Sequence, residues 1–215
     1  MSDFKVKDGE TFVFIGDSIT DCGRRDVAAP FGNGYVKMAI DLVTAKYPER
    51  MIHFVNTGIS GNTVRDLRDR WQPDVIDHEP DWLSIKIGIN DVHRTLFGPP
   101  EQAVDVKEFR ALYNEILEKT AAQTKAKLLL VDPFYVCRSA AAGTPEAKVM
   151  RDLPGYIQVV NDMAKKYGAI QVKTNEMFKE QLKHREAAHF CPEPVHPYPN
   201  GHAVIALGVL KALDW

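Results

Sequence analysis

The chain has few of the features that would place it outside a cell or in a membrane. Its three cysteines (Cys22, Cys137 and Cys191) are odd in number and far apart, which suits a reducing compartment better than a disulfide framework. The N-terminal stretch MSDFKVKDGETFVFIG lacks a basic segment leading into an apolar core, so no secretory leader is expected. No apolar run approaches the roughly 20 residues that a transmembrane helix needs. A formal net charge of −2 offers little bulk attraction to nucleic acid or to an anionic membrane. The expectation is a soluble, cytoplasmic protein with neither of those partners. Chemical signatures are missing too. There is no Gly-x-x-x-x-Gly-Lys-Ser/Thr phosphate loop and no Gly-x-Ser-x-Gly elbow. The cluster His184, His189, Cys191, His196 and His202 has no zinc-ligand spacing. No metal is expected.

What is present is a globular composition, 45% hydrophobic and 26% charged. A chain of this length buries roughly 70% of its unfolded surface, enough for a core without staples. Short β-type runs alternate with helical patterns. Strands are predicted at 11–15, 52–56, 82–87 and 127–131, with a weaker one at 169–172. Helices are predicted at 35–47, 63–71, 106–124, 153–167 and 201–213. Such alternation is the signature of a parallel sheet with helices on both faces. Pro48 and Gly168 fall just past two of these helices, where helix ends belong. Segments 97–105 and 138–151 read as loops. No linker or repeat interrupts the pattern, so one domain spanning residues 1–215 is expected.

Ligands of open α/β sheets bind beyond the carboxyl ends of the strands, and there the polar residues of this chain collect. The first strand runs into Gly16-Asp17-Ser18 and the second into Asn56-Thr-Gly-Ile-Ser-Gly-Asn62. The third leads to Gly88-Ile-Asn-Asp91, and Pro192-Glu-Pro-Val-His-Pro197 comes near the chain end. Acyl transfer needs a nucleophile, a base, a group that orients the base, and donors for the oxyanion. Ser18, His196 and Glu193 could fill the first three roles. The backbone N–H of Ser18, that of Gly61 and the side chain of Asn90 could fill the fourth. Each piece has a plainer reading: a helix cap for Asp17 or Ser18, turn residues for Gly61 and Asn90, a loop histidine for His196. Their order along the chain favours the chemical reading.

FIGDSIT, NTGISGNT, GIND and the late VHP resemble the four blocks of the SGNH hydrolases, also called GDSL esterases, over 14–202. The resemblance implies a three-layer α/β/α sandwich around a parallel sheet of about five strands, flavodoxin-like in layout, and a cofactor-free esterase. It assigns Ser18 as nucleophile, Gly61 and Asn90 to the oxyanion hole, and His196 as base. The family's last block is Asp-x-x-His, whereas this chain has Glu193-Pro-Val-His196. Glutamate keeps the charge but adds a methylene between two stiff prolines, so either Glu193 or a backbone carbonyl orients the imidazole. FIGDSITDCGR, GISGNTVRDLRDRW and PDWLSIKIGINDVHR look most like the intracellular acetyl-xylan esterases. That likeness implies an oligosaccharide ester as substrate and makes a homo-oligomer plausible. A broad short-chain esterase or lysophospholipase is the alternative within the family. A non-catalytic flavodoxin-like or carbohydrate-binding module is the alternative outside it.

Asp17, His93, Arg94 and Tyr198, beside these blocks, and Tyr135, just past the fourth strand, are the further candidates for substrate contact. Trp71 and Trp82 read as core. The run RDLRDR (65–70) reads as a solvated helix face, with an oligomer contact as the sharper alternative.

Overall fold

The computed structural model describes residues 3–215; Met1 and Ser2, which open the segment read for a leader, lie outside it. The apolar run TFVFIG forms β1 (Thr11–Gly16), with every residue after Thr11 buried. In chain order there follow α1 (Ser18–Asp21), α2 (Tyr35–Lys46), β2 (His53–Asn56), α3 (Val64–Asp69) and α4 (Trp71–Asp74). Then come β3 (Trp82–Lys86), α5 (Ile89–Phe97), α6 (Val106–Gln123), β4 (Lys127–Val131) and α7 (Pro145–Tyr167). The last elements are β5 (Ile170–Val172), α8 (Thr174–Gln181) and α9 (Pro199–Ala212). The strands pair in parallel in the order β2-β1-β3-β4-β5. Chain direction across the sheet reverses between β1 and β3, so the β1/β3 crevice is where a doubly wound sheet places its ligand.

Both faces of the sheet are covered. Packed helix pairs α2–α9 and α8–α9 form one layer, and α3–α6, α6–α7 and α5–α7 the other. This is the α/β/α sandwich expected. Val13, Ile15, Leu83, Ile85, Leu129 and Leu130 are completely buried, each contributing about 1.5–3 kcal/mol of transfer free energy. Trp71 and Trp82 are buried as read, donating through their indole N–H groups to Thr120 and Glu10.

Several elements differ from expectation. Helix α7 begins inside the segment read as a loop, because Thr144 caps it by accepting the Ala147 N–H and Pro145 opens it. It then continues through Pro154. Burial of Val149, Leu153, Tyr156, Val159 and Val160 outweighs the roughly 3 kcal/mol that an interior proline costs. The helix predicted over 63–71 breaks at Arg70 into α3 and α4. Helices α5 and α8 were not expected at all. Among the described residues no helix is long and apolar enough to cross a membrane.

Candidate active site

Strand β1 stops at Gly16 because the chain is squeezed there. A Cβ on Gly16 would lie 2.4 Å from the Lys86 carbonyl of β3 and 2.5 Å from Thr20 Oγ1 of α1. The next residue, Asp17, caps α1 by accepting the Ile19 N–H at 3.0 Å. Ser18, the first residue of α1, is half-exposed, and its backbone N–H has no acceptor among the described residues. Asp17 corrects one expectation. It is fully buried and paired with Lys86 Nζ at 3.2 and 3.3 Å, so it faces the interior and cannot touch a substrate.

Lys86 is itself completely buried in the central strand, with its ammonium 5.0 Å from the centre of the Phe134 ring. Burial pushes its pKa down, and the Asp17 carboxylate pushes it back up. The Asp17 charge is thereby compensated directly under the serine. Sequence reading passed over this lysine, although a lone cation inside WLSIKI was a usable signal.

His196 reaches the serine from the other end of the chain. Its Nε2 lies 2.9 Å from Ser18 Oγ, and its Nδ1 lies 2.5 Å from Glu193 Oε1. The same carboxylate accepts the backbone N–H groups of Val195 and His196, each at 2.8 Å. Glu193 therefore points at the imidazole, and it is this side chain that lies against Nδ1. Tyr198 N–H donates to Phe190 O at 2.7 Å, and Val136 N–H to Pro194 O at 2.8 Å. These bonds fasten the turn to α9 and to the segment after β4. The site lies open: the side chains of His196 and Glu193 are 58% and 46% exposed.

Gly61 sits at φ +80° in the loop after β2, and its N–H also has no acceptor among the described residues. Asn90, on the first turn of α5, donates one amide hydrogen to Asn62 O at 2.9 Å, which leaves the other free. Arg94 does not extend into solvent but donates to Gly61 O at 2.7 Å. The RDLRDR run is likewise engaged. Arg65 pairs with Glu108, and Arg70 donates to Gly16 O, Thr57 O and Asn62 Oδ1 while pairing with Asp74. Arg70 thus ties the first two motifs together, a role that no sequence signal announced.

His93 and Tyr135 meet edge to face, with ring centres 6.1 Å apart. Burial lowers the His93 pKa, and burial with nearby Glu146, Cys137 and Glu193 raises that of Tyr135 to about 12. Both rings feel the Glu193 charge, which sets them beside the open site. Tyr198 is 43% exposed at the start of α9. Among the described residues no three His, Cys, Asp or Glu side chains gather closely enough to hold a metal. His202 instead faces Cys22 Sγ at 3.5 Å and accepts the Tyr35 N–H, and burial pushes its pKa down to about 4.

The model of the GDSL-like lipase/acylhydrolase family matches residues 14–204. The chain belongs to that family. Within this GDSL family it is 39% identical, over 98% of its own length and 97% of the relative's, to an acetylxylan esterase of Geobacillus stearothermophilus. The crystal structure of Axe2, an acetylxylan esterase from the same organism, matches with a TM-score of 0.88 at 39% identity, covering 98% of this chain and 97% of that one. Other Axe2 structures carry catalytic mutations at a serine and at an aspartate and a histidine three residues apart. LAE5, an alpha/beta hydrolase enzyme from the metagenome of Lake Arreo in Spain, matches with a TM-score of 0.89 at 32% identity, over 99% of this chain and 98% of its own.

Proposed function

We propose that the protein is a serine esterase that removes O-acetyl groups from carbohydrates, with acetylated xylo-oligosaccharides as the substrate class. The observation that carries the reading is the continuous Ser18–His196–Glu193 chain of hydrogen bonds at the carboxyl end of β1. The substrate class rests on the 39% identity to an acetylxylan esterase along the full length of both chains.

In this mechanism Glu193 accepts a hydrogen bond from the Nδ1–H of His196, leaving Nε2 free to take the Ser18 proton as Oγ attacks the acetyl carbonyl. The oxyanion lies against the N–H groups of Ser18 and Gly61 and the free amide hydrogen of Asn90. Loss of one such donor costs about 10²–10³ in rate. His196⁺ then gives its proton to the departing sugar oxygen, and the C–O ester bond breaks. Water, deprotonated by His196, releases acetate from acetyl-Ser18. His93 and Tyr135 form an aromatic wall for the sugar, with Tyr198 nearby.

The open site favours a small acyl group on a bulky alcohol over a long acyl chain. A cavity of about 470 Å³ between Lys5, Lys7, Trp82, Lys127 and Tyr167 lies at the opposite, amino-terminal ends of the strands. A non-catalytic sugar-binding module would have no use for the aligned serine and histidine. The reading places the enzyme in the cytoplasm, acting as a single domain on imported oligosaccharides. It also implies a homo-oligomer, supported by the exposed Leu42 and Leu207 on α2 and α9.

The test is acetate release from acetylated xylo-oligosaccharides by the wild type and by Ser18→Ala. Release by the wild type with a loss of at least about a hundredfold in the variant supports the reading. No release by either protein would remove the xylan assignment, and a panel of acyl esters would then separate another esterase from a binding protein.

A further inference from the structure

The loop from Thr57 to Asn62 presents Gly61 to the site, yet hardly any side-chain packing holds it at that point. A Cβ built on Gly61 would find only Arg94 Nη2, at 4.0 Å. Side-chain donors grip the loop by its carbonyls instead. Arg70 takes Thr57 O at 2.7 Å, Arg24 takes Gly58 O at 2.5 Å, Arg94 takes Gly61 O at 2.7 Å, and Asn90 takes Asn62 O at 2.9 Å. Three of these four donors are guanidinium groups, whose charge-assisted hydrogen bonds are about twice as strong as neutral ones.

Asn90 and Arg94 stand four residues apart on α5 and so share one face of that helix. From that face they reach two consecutive carbonyls, Gly61 O and Asn62 O. The peptide plane between Gly61 and Asn62 is held from both sides, since Asn62 N–H closes the turn onto Ile59 O at 3.3 Å. Holding that plane, with φ of Gly61 at +80°, restrains the swing of the Gly61 N–H. Among the described residues Arg94 has no carboxylate partner, so its guanidinium is not spent on an ion pair.

We infer that Arg94 is a positioning residue, which holds the Gly61 carbonyl so that the Gly61 N–H aims at the oxyanion, and not a substrate-binding one. This rests on the esterase reading given above. It assigns Arg94 a share in kcat rather than in KM, because a misaimed donor weakens transition-state binding while leaving the ground state untouched.

The test compares Arg94→Met and Arg94→Lys with the wild type. Arg94 sits at the rim and makes one bond to the loop, so both variants are expected to fold with a Tm near that of the wild type. In Arg94→Met, kcat for acetate release should fall by about 10–100-fold, less than the loss of a donor outright, with KM within about threefold. Hydrogen exchange at the Asn62 amide should quicken by at least about tenfold as the turn loosens. Arg94→Lys, which keeps a cationic donor, should recover part of both. A raised KM with unchanged kcat would overturn the inference in favour of direct substrate binding, and so would unchanged exchange at Asn62. If the wild type released no acetate, the esterase reading would fail, while the exchange comparison would still decide whether Arg94 holds the loop.

Discussion

The ion pair beneath Ser18 makes a quantitative demand. Lys86→Met keeps the length and apolar stem of the side chain and removes only its charge, leaving the Asp17 carboxylate buried without a counter-ion. Both partners are wholly buried, with oxygen–nitrogen distances of 3.2 and 3.3 Å. Breaking such a pair by removing one partner costs about 3–5 kcal/mol. For a chain of this size, about 2–4 °C of Tm per kcal/mol turns that into a drop of roughly 6–20 °C. The double variant Asp17→Asn, Lys86→Met carries no buried charge, and its asparagine oxygen can still cap α1. It should therefore be more stable than Lys86→Met alone, and the cycle should show a coupling energy of at least about 2 kcal/mol. Catalysis should follow the same order. A bare carboxylate next to Ser18 opposes the developing oxyanion, so Lys86→Met should lose more kcat than the double variant. Urea unfolding of the wild type, Asp17→Asn, Lys86→Met and the double variant at pH 7, with acetate release measured on each, decides the matter. Additive effects, or a Lys86→Met protein within about 1 kcal/mol of the wild type, would refute the idea that Lys86 compensates the charge under the nucleophile.

Two further predictions concern other carboxylates. Glu193→Ala should lower kcat by about 10³–10⁴, and Glu193→Gln should fall in between, because an amide oxygen can orient the ring but carries no charge for the imidazolium. A loss under about tenfold in Glu193→Ala would return the orienting role to a backbone carbonyl. Asp91 is buried with Oδ2 unpartnered, and burial raises its pKa to about 7. Between about pH 4 and 7 the folded state holds a proton that the unfolded chain has released, so this group's contribution to stability falls as pH rises through that window. Thermal melts from pH 5 to 8 should show Asp91→Asn gaining on the wild type with rising pH. A difference between the two proteins that does not vary with pH would contradict the assignment.

The sheet was legible because buried parallel strands are continuous apolar runs, and even Lys86 within WLSIKI did not hide β3. The meeting of Ser18 with His196 was legible because polar residues collect at strand ends. Ser18 and His196, far apart in sequence, each announced themselves at such an end or beside the last helix. Helix α5 was not legible, since its first turn, Ile89-Asn-Asp, reads equally well as a turn after β3. Asp17 was misread for a related reason: a carboxylate beside a serine looks exposed until the lysine packed under it is known. Arg70 and Arg94 were harder still. Their partners include backbone carbonyls of other segments, and no side-chain pattern records which carbonyls the fold will bring near.

Glu193 shows how a departure from a motif can be absorbed locally. The extra methylene of glutamate, relative to aspartate, would overshoot the imidazole if the side chain ran straight toward it. Instead the carboxylate folds back over its own turn, where the N–H groups of Val195 and His196 both donate to it. Pro194, between Glu193 and Val195, has no N–H to compete, and its carbonyl anchors the turn by accepting the Val136 N–H. Pro194, which looks like an obstacle in the sequence, is therefore part of what makes the longer side chain fit. One Glu193 oxygen is left to share between the backbone and Nδ1 of His196. The carboxylate is held from three directions, which is the rigidity that an orienting group needs.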